Sequence, residues 1–370
     1  MFRLKLHAAM FAVIIGLLMT FNQTARAESW SWENILSVFS SANAVVDCTT
    51  NPIVVNNLDS GAGSLRQAVI DACPGSTITF DSAVTGLIYQ SGQIVIDKNL
   101  TIEGPGAGVL TIRSVGGFVS TNRIFSVNQY ATVTISGLSM TGARSAGIMN
   151  WGGNLTVTNS SVSGNPGGGI FTFTNSTTTI SNSTVSGNYS VGISNSGTMT
   201  IANSTVSNNF SEGDGGAGIA NRGTLIVTSS TISGNYGSEA TVEGGGLYNN
   251  GTATVTNSTV SNNSLSRNYE ASPTAGGAGI GNDGGTLTLI NSTVANNTIN
   301  TATMNGAIGP GAGIHQRGGT VIVRNSIIAG NTSTRRTQQG PFIPSVLDTR
   351  GDRFRRHNDF GGLQPARRQW

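Results

Sequence analysis

NSTVSGN, residues 182–188, recurs with small changes at 159 (NSSVSGN), 203 (NSTVSNN), 229 (SSTISGN), 257 (NSTVSNN), 291 (NSTVANN) and 325 (NSIIAGN). A catalytic motif is needed once, so a word written this often describes architecture. A second motif opens each unit: Gly147-Ile148, Gly169-Ile170, Gly192-Ile193, Gly218-Ile219, Gly246-Leu247, Gly279-Ile280 and Gly313-Ile314. In most units Asn or Gln follows two residues later, and a short alternating run such as TLIVTSS or TATVTNS leads to the word.

Each unit thus holds three strand-like pieces separated by Gly and Asn turn signals. Three apolar columns result. One is the Ile or Leu after each glycine. The second is Val157, Ile180, Ile201, Val227, Val255, Leu289 and Val323, and the third is Val162, Val185, Val206, Ile232, Val260, Val294 and Ile328. A unit of about 21 residues cannot bury three such positions alone, whereas stacked coils bury all of them. β-Branched residues at period two, with a glycine every few positions, exclude a helical solenoid. The sequence therefore predicts an all-β, single-stranded parallel β-helix of about ten rungs, with repeats over residues 94–334.

Within the word, the first Asn (Asn159, Asn182, Asn203, Asn257, Asn291, Asn325) is expected to form a side-chain amide ladder between coils about 4.8 Å apart. Asn also tolerates the left-handed backbone of tight corners. Asn182, Asn203, Asn257 and Asn291 match N-x-[ST]. A glycan on an inward ladder would block folding, which favours a bacterial source. Asp283 and Arg317 hold the same turn position in successive units, so an inter-coil pair is expected there.

Length varies almost only between the last Asn of one word and the next glycine, with gaps of 3, 3, 8, 10, 15 and 15 residues. Insertions at one phase of a solenoid project from one edge. That edge carries Phe210 and the candidate ligand-binding residues Glu212, Asp214, Tyr236, Glu239, Glu243, Arg267, Tyr269 and Glu270. Aromatic rings suit the apolar face of a sugar, and carboxylates suit its hydroxyls or calcium. Solvated loops without a ligand are the plainer reading of the same residues.

The N-terminus, with Arg3 and Lys5, the apolar run 8–21 and Ala25-Arg26-Ala27, reads as a signal peptide over residues 1–27, a retained anchor being the alternative. A linker is assigned to residues 28–47 and a cap to 48–93. Residues 28–334 hold nine basic and fourteen acidic side chains, whereas 335–370 hold eight and three. An acidic body argues against a nucleic-acid partner, and no later segment is apolar enough to span a bilayer. The basic tail has no strand periodicity and reads as disordered or out of frame; its Arg350-Gly351-Asp352 tripeptide is common by chance. Cys48 and Cys73 are the two cysteines. In an exported chain they are expected to pair, two buried thiols being the alternative.

Ser64 and Gln67 have the spacing of a capping box, Leu65, Ala68, Val69 and Ala72 share one helical face, and Pro74-Gly75 stops it. A short helix covering the first rung follows. The stretch 59–68 (DSGAGSLRQA), with STITF (76–80), LTIEGPG (100–106), ATVTISGLSMTG (131–142) and the repeats, resembles secreted bacterial right-handed β-helix proteins. In particular it resembles those with a Gly-Ser-Leu-Arg-x-Ala cap akin to polymorphic outer-membrane-protein repeats. The resemblance covers residues 45–334 and implies a fold rather than an activity.

Polysaccharide-cleaving β-helices need clustered Asp for calcium or paired acids, and no Asp-Asp pair sits in a strand of these repeats. No catalytic residue, metal ligand or resident cofactor is assigned, calcium at the loop acids apart. The leading expectation is a secreted or cell-surface, monomeric, non-catalytic scaffold, adhesin-like or glycan-binding. A polysaccharide lyase or hydrolase acting through loop carboxylates is the alternative, and an inactive truncated product the second.

Overall fold

A computed structural model describes residues 48–116, 122–213, 215–238, 244–267, 276–301, 311–335 and 347–348. The signal segment, the linker and most of the tail lie outside the described residues. The described residues belong to one compact unit, a stack of coils whose strands form four sheets.

The first sheet has eleven strands, running from Ile53–Val54 and Ser76–Phe80 to Thr320–Arg324. A nine-stranded sheet collects the Gly-Ile segments, from Ile94–Ile96 to Ile314–Gln316. An eleven-stranded sheet collects the centres of the words, and its last member, Leu347–Asp348 from the tail, pairs antiparallel with Ile327 and Ile328. Every other pairing is parallel and in register, so like stacks on like: Val157 on Ile180, Ile180 on Ile201, Ile201 on Val227.

The three apolar columns line the interior, where Ile148, Ile219, Val157, Val227, Ile232 and Val294 are fully buried. A fourth column lies beside them: Leu155, Met199, Leu225, Leu287 and Val321. In one coil Thr178 replaces the apolar residue. Its hydroxyl accepts from Thr172 Oγ1 at 2.8 Å and Asn150 Nδ2 at 3.1 Å, so the buried polar atom is satisfied.

Every letter of the word has a separate task. Position one is a left-handed corner, with φ of 48–49° at Asn159, Asn182, Asn203, Asn257, Asn291, Asn325 and the odd Ser229. Position six is a second such corner, filled by Gly187 or Gly234 in some units and Asn208, Asn262 or Asn296 in others. These are the residue types that accept positive φ at least cost. The position-two serines are buried, and each hydroxyl accepts the backbone N–H of its counterpart one coil earlier, as from Ser183 N to Ser204 Oγ at 3.1 Å.

The amide ladder is present, but it runs through the last Asn of each word. Asn165, Asn188, Asn209, Asn235, Asn263, Asn297 and Asn331 are buried and joined amide to amide at 2.8–2.9 Å. Asn209 is typical. Its Oδ1 accepts from Asn188 N and Nδ2, while its Nδ2 donates to Val185 O and to Asn235 Oδ1. All four of its hydrogen-bonding positions are used. The assignment to Asn159, Asn182, Asn203, Asn257, Asn291 and Asn325 is therefore corrected. These side chains are exposed at corners, and the argument that glycans there would block an inward ladder falls with it. A second ladder joins Asn195, Asn221, Asn249 and Asn282 at 2.7–2.8 Å. The glycines before each Ile exist for the first ladder: a Cβ on Gly218 would lie 2.4 Å from Gly246 O and 2.9 Å from Asn235 Nδ2.

At the N-terminal end, the helix Leu65–Asp71 buries Leu65, Ala68 and Val69 in the same core as Ile78, Ile94 and Ile96. Ser64 Oγ accepts Gln67 N–H, but Gln67 bonds Asp71 instead of reaching back, so half of the capping box forms. Cys48 and Cys73 are disulfide-bonded. Lys98 Nζ donates to Ile70 O and Ala72 O, where the helix ends. Arg66 donates to Asp59 Oδ1, Gly92 O and Gln93 O, each at 2.7 Å, and Asp59 accepts from Ser91 N. Burial alone raises the Asp59 carboxyl, but the bonds from Arg66 and Ser91 outweigh it and hold its pKa below the ordinary value. In DSGAGSLRQA, then, Asp59 and Arg66 clamp two loops, Ser64 caps, and Leu65 and Ala68 pack.

Candidate functional site

The insertions after each word do not leave the solenoid at once. Phe210–Ser211, Tyr236–Ser238, Ser264–Arg267, Thr298–Thr301 and Thr332–Arg335 form a fourth, parallel sheet along the loop edge, which the sequence reading did not foresee. Leu265 and Ile299 from this sheet bury against Ala278 and Ala312, a small core separate from the main one.

The residue after the last Asn of the word begins this edge. In three successive coils it is aromatic: Tyr189, Phe210 and Tyr236. Tyr189 and Phe210 meet edge to face with centroids 5.5 Å apart, and Phe210 and Tyr236 stack at 5.5 Å. Tyr189 is 66% exposed. Glu212 follows two residues after Phe210 and is exposed. Of the predicted ligand-binding residues, Tyr236 thus joins an aromatic row and Glu212 lies beside it. Asp214, Glu239, Glu243, Tyr269 and Glu270 lie outside the described residues; Arg267 ends an edge strand, and its side chain is not described. Tyr189 belongs to the row although sequence reasoning passed over it. The signal was available in its place after Asn188.

The other border of the Gly-Ile sheet is the turn that leads into the next strand. Trp151, Phe173, Ser196, Arg222, Asn250, Asp283 and Arg317 occupy equivalent places there, each donating its N–H to the preceding coil. Trp151 and Phe173 stack at 4.1 Å with planes 11° apart, and the Arg123 guanidinium lies 5.5 Å from the Trp151 centroid. Further along, Arg222 lies 5.5 Å from the Tyr248 ring, whose hydroxyl donates to Asp283 Oδ2. Arg317 pairs with Asp283 through Nε and Nη2. Partial burial pushes the Asp283 carboxyl up, and the bonds from Arg317 and Tyr248 more than reverse it, leaving its pKa below the ordinary value. Between the two borders, on the sheet's outer surface, Met149 and Phe171 lie side by side in register, followed by Ser194.

Tyr130 stands out beside Trp151. It is 88% exposed, its N–H donates to Gly152 O, and its φ is 67°. Equivalent corners in other coils hold Gly152, Asn175 and Gly284. A tyrosine there costs about 1–2 kcal/mol.

Among the described residues no group of three or more His, Cys, Asp or Glu converges as a metal site, and no helix is long and apolar enough to cross a membrane. An open depression of about 460 Å³ is lined by polar side chains and backbone from Thr174 to Thr177, Ser196 to Thr198, Gly223 and Thr224.

The family model of the right-handed β-helix region matches residues 60–209 and 98–264, more than half of the chain. The chain belongs to that family. No curated protein matches the sequence. Solved structures similar to this β-helix include pectate lyase Pel9A, with 15% identity, TM-score 0.46 and 81% of each chain covered. A second is ORF18 of Geobacillus virus E2, with 9% identity, TM-score 0.40 and coverage of 83% of this chain and 66% of that one. A third is the A-module of an Azotobacter vinelandii mannuronan C-5 epimerase, with 11% identity, TM-score 0.37 and coverage of 71% and 83%. At these identities the likeness is one of β-helix fold alone.

Proposed function

We propose that this β-helix is an exported, non-catalytic scaffold that binds polysaccharide along its loop edge. The observation that carries the reading is the row Tyr189–Phe210–Tyr236, three rings on consecutive coils at the exposed border of the sheet. Rings repeated at the coil spacing match a polymeric ligand, which offers an apolar sugar face at regular intervals, better than a single small molecule. Glu212 adds a carboxylate for hydroxyls at the same border, and calcium held by the loop acids is a further part of the proposal.

The signal-like N-terminus and the Cys48–Cys73 disulfide support export. The tasks of Ser64, Leu65 and Arg66 support reading the cap with the Gly-Ser-Leu-Arg type of secreted bacterial β-helix proteins. The test is retention of the exported chain on a panel of plant, algal and bacterial polysaccharides, with and without calcium. Replacing Tyr189, Phe210 and Tyr236 together by Ala is expected to weaken retention at least tenfold with the circular-dichroism spectrum unchanged. Unaltered retention would remove the edge as the site, and release of shortened chains would make the protein an enzyme.

A further inference from the structure

The outer face of the first sheet takes no part in the loop edge or the turn border. We propose that this face binds ice, holding water in a lattice through ranked threonine hydroxyls and methyls. The proposal stands apart from the polysaccharide reading above.

The strands concerned are five residues long and bury positions two and four, so positions one, three and five point outward. Pairing is parallel and in register from coil to coil. Position one is therefore a continuous rank. It holds Thr in seven of its eight coils from Thr132 to Thr320, with Asn154 the exception. Position three runs Thr77, Thr101, Thr134, Thr156, Thr179 and Thr200 without a break. After Ile226 it resumes with Thr254 and Thr288. No residue of these strands from Thr132 to Ile290 is charged. Glu103 and Arg324 carry the first charges beyond either end.

Neighbouring strands lie about 4.8 Å apart and alternate residues about 6.6 Å apart, so the two ranks form a near-rectangular grid. Those repeats are close to the oxygen repeats on a prism face of hexagonal ice. The branched Cβ of Thr restricts χ1, so few orientations of hydroxyl and methyl compete along a rank. Each hydroxyl can hold one lattice water, and each methyl fills the hollow between waters. The hydroxyls of both ranks bond no other group among the described residues, which leaves them to solvent. Twist would spoil the grid. The Asn ladders tie each coil to the next, and side-chain ladders of this kind hold sheets flat.

Folding alone does not demand the pattern. Val, Ile and Tyr favour strands as Thr does. The Gly-Ile sheet stacks the same coils, yet its outward column reads Met149, Phe171, Ser194, Ala220, Tyr248 and Gly281. Repetition of one side chain is thus a property of the first sheet's face and not of stacking as such.

The test grows ice slowly from a dilute solution of the exported chain and assays protein in the ice and in the remaining liquid, beside a non-binding protein of similar size. Enrichment in the ice is expected, with faceting of single ice crystals held just below melting. Thr179→Lys with Thr254→Lys puts charge into the grid and should lower partition into ice at least tenfold, with the circular-dichroism spectrum unchanged. Thr179→Ser with Thr254→Ser keeps the hydroxyls, removes two methyls and should give a smaller loss. Ser194→Lys, on the face of the Gly-Ile sheet, should enter ice like the parent. Exclusion of the parent chain from ice, or a double-Lys protein that enters ice as the parent does, would overturn the proposal. So would adsorption to crystalline cellulose or chitin that disappears in the double-Lys variant while ice excludes the parent, which gives the face to a polysaccharide lattice. Retention on soluble polysaccharide through Tyr189, Phe210 and Tyr236 is read separately, so either function can fail without the other.

Discussion

Arg317 and Asp283, 34 residues apart in sequence and one coil apart in space, share a two-point ion pair with Nε to Oδ1 at 2.7 Å. The pair fixes the register of the C-terminal coils, because a shift of one unit would place Arg317 against Asn250. The Arg317 side chain is 44% exposed, so Asp283→Ala should cost no more than about 1 kcal/mol in urea unfolding.

Its pH dependence is more informative. Asp283 and Asp59 both titrate below their ordinary value in the folded chain. Their contribution is therefore complete above the unfolded carboxyl pKa and is lost as pH falls through the lower folded one. Urea midpoints measured from pH 6 down to pH 2 should drop at the acid end. Asp59→Asn with Asp283→Asn should flatten that drop, and an unchanged acid limb would show that neither pair is formed in solution.

Asn209 and Asn203 are the same residue type six positions apart in one word, with opposite tasks. Asn209→Ala leaves Asn188 N and Nδ2, Val185 O and Asn235 Oδ1 short of a partner and should cost about 3 kcal/mol or more. Asn203→Gly keeps the corner and should change stability by only a few tenths of a kcal/mol. Denaturant midpoints of the two variants separate ladder from corner directly.

Thr172 and Thr178 form a coupled exception. Thr178→Val strands the Thr172 hydroxyl, while Asn150 Nδ2 keeps Gly153 O and Thr177 O, and should cost about 1–3 kcal/mol. Thr172→Asn with Thr178→Leu restores the pattern of the neighbouring coils. A double-mutant cycle is expected to show the pair more stable than the sum of its single changes.

The Cys48–Cys73 bond closes a loop of 25 residues over the capping helix. Its removal by Cys48→Ser with Cys73→Ser should cost about 3 kcal/mol. Amide exchange should rise first at residues 49–72 and leave the Asn ladders protected.

The coil, its three inward columns and the Asp283–Arg317 register were legible because in-register stacking repeats the same residue at the same place. Which Asn turns inward was misread, since positions one and seven share a letter and periodicity alone carries no direction. The distinguishing mark was in the sequence. Position one admits Ser229, and position six alternates Gly with Asn, both signs of a corner. Position seven is Asn in all seven words, which is what an unbroken buried ladder requires. The aromatic borders were harder to see. Tyr189, Phe210 and Tyr236 differ in letter and precede gaps of unequal length, while Arg123, Tyr130 and Trp151 sit in coils before or at the start of the clear repeats. Their proximity comes from the stacking and leaves no local spacing to read.

Each ladder Asn sends its backbone N–H to the Asn of the coil that follows, never to the one before. A coil is thus incomplete until its successor arrives, and any successor with the same corners completes it. Twenty-one residues separate Asn182 from Asn203. Excising such a block joins one corner to an identical corner, whereas excising one residue fewer turns the downstream core outward. The gene for this protein can therefore lengthen or shorten by whole coils without relearning how to fold, and a surface displayed along its edge can be extended or trimmed in the same steps.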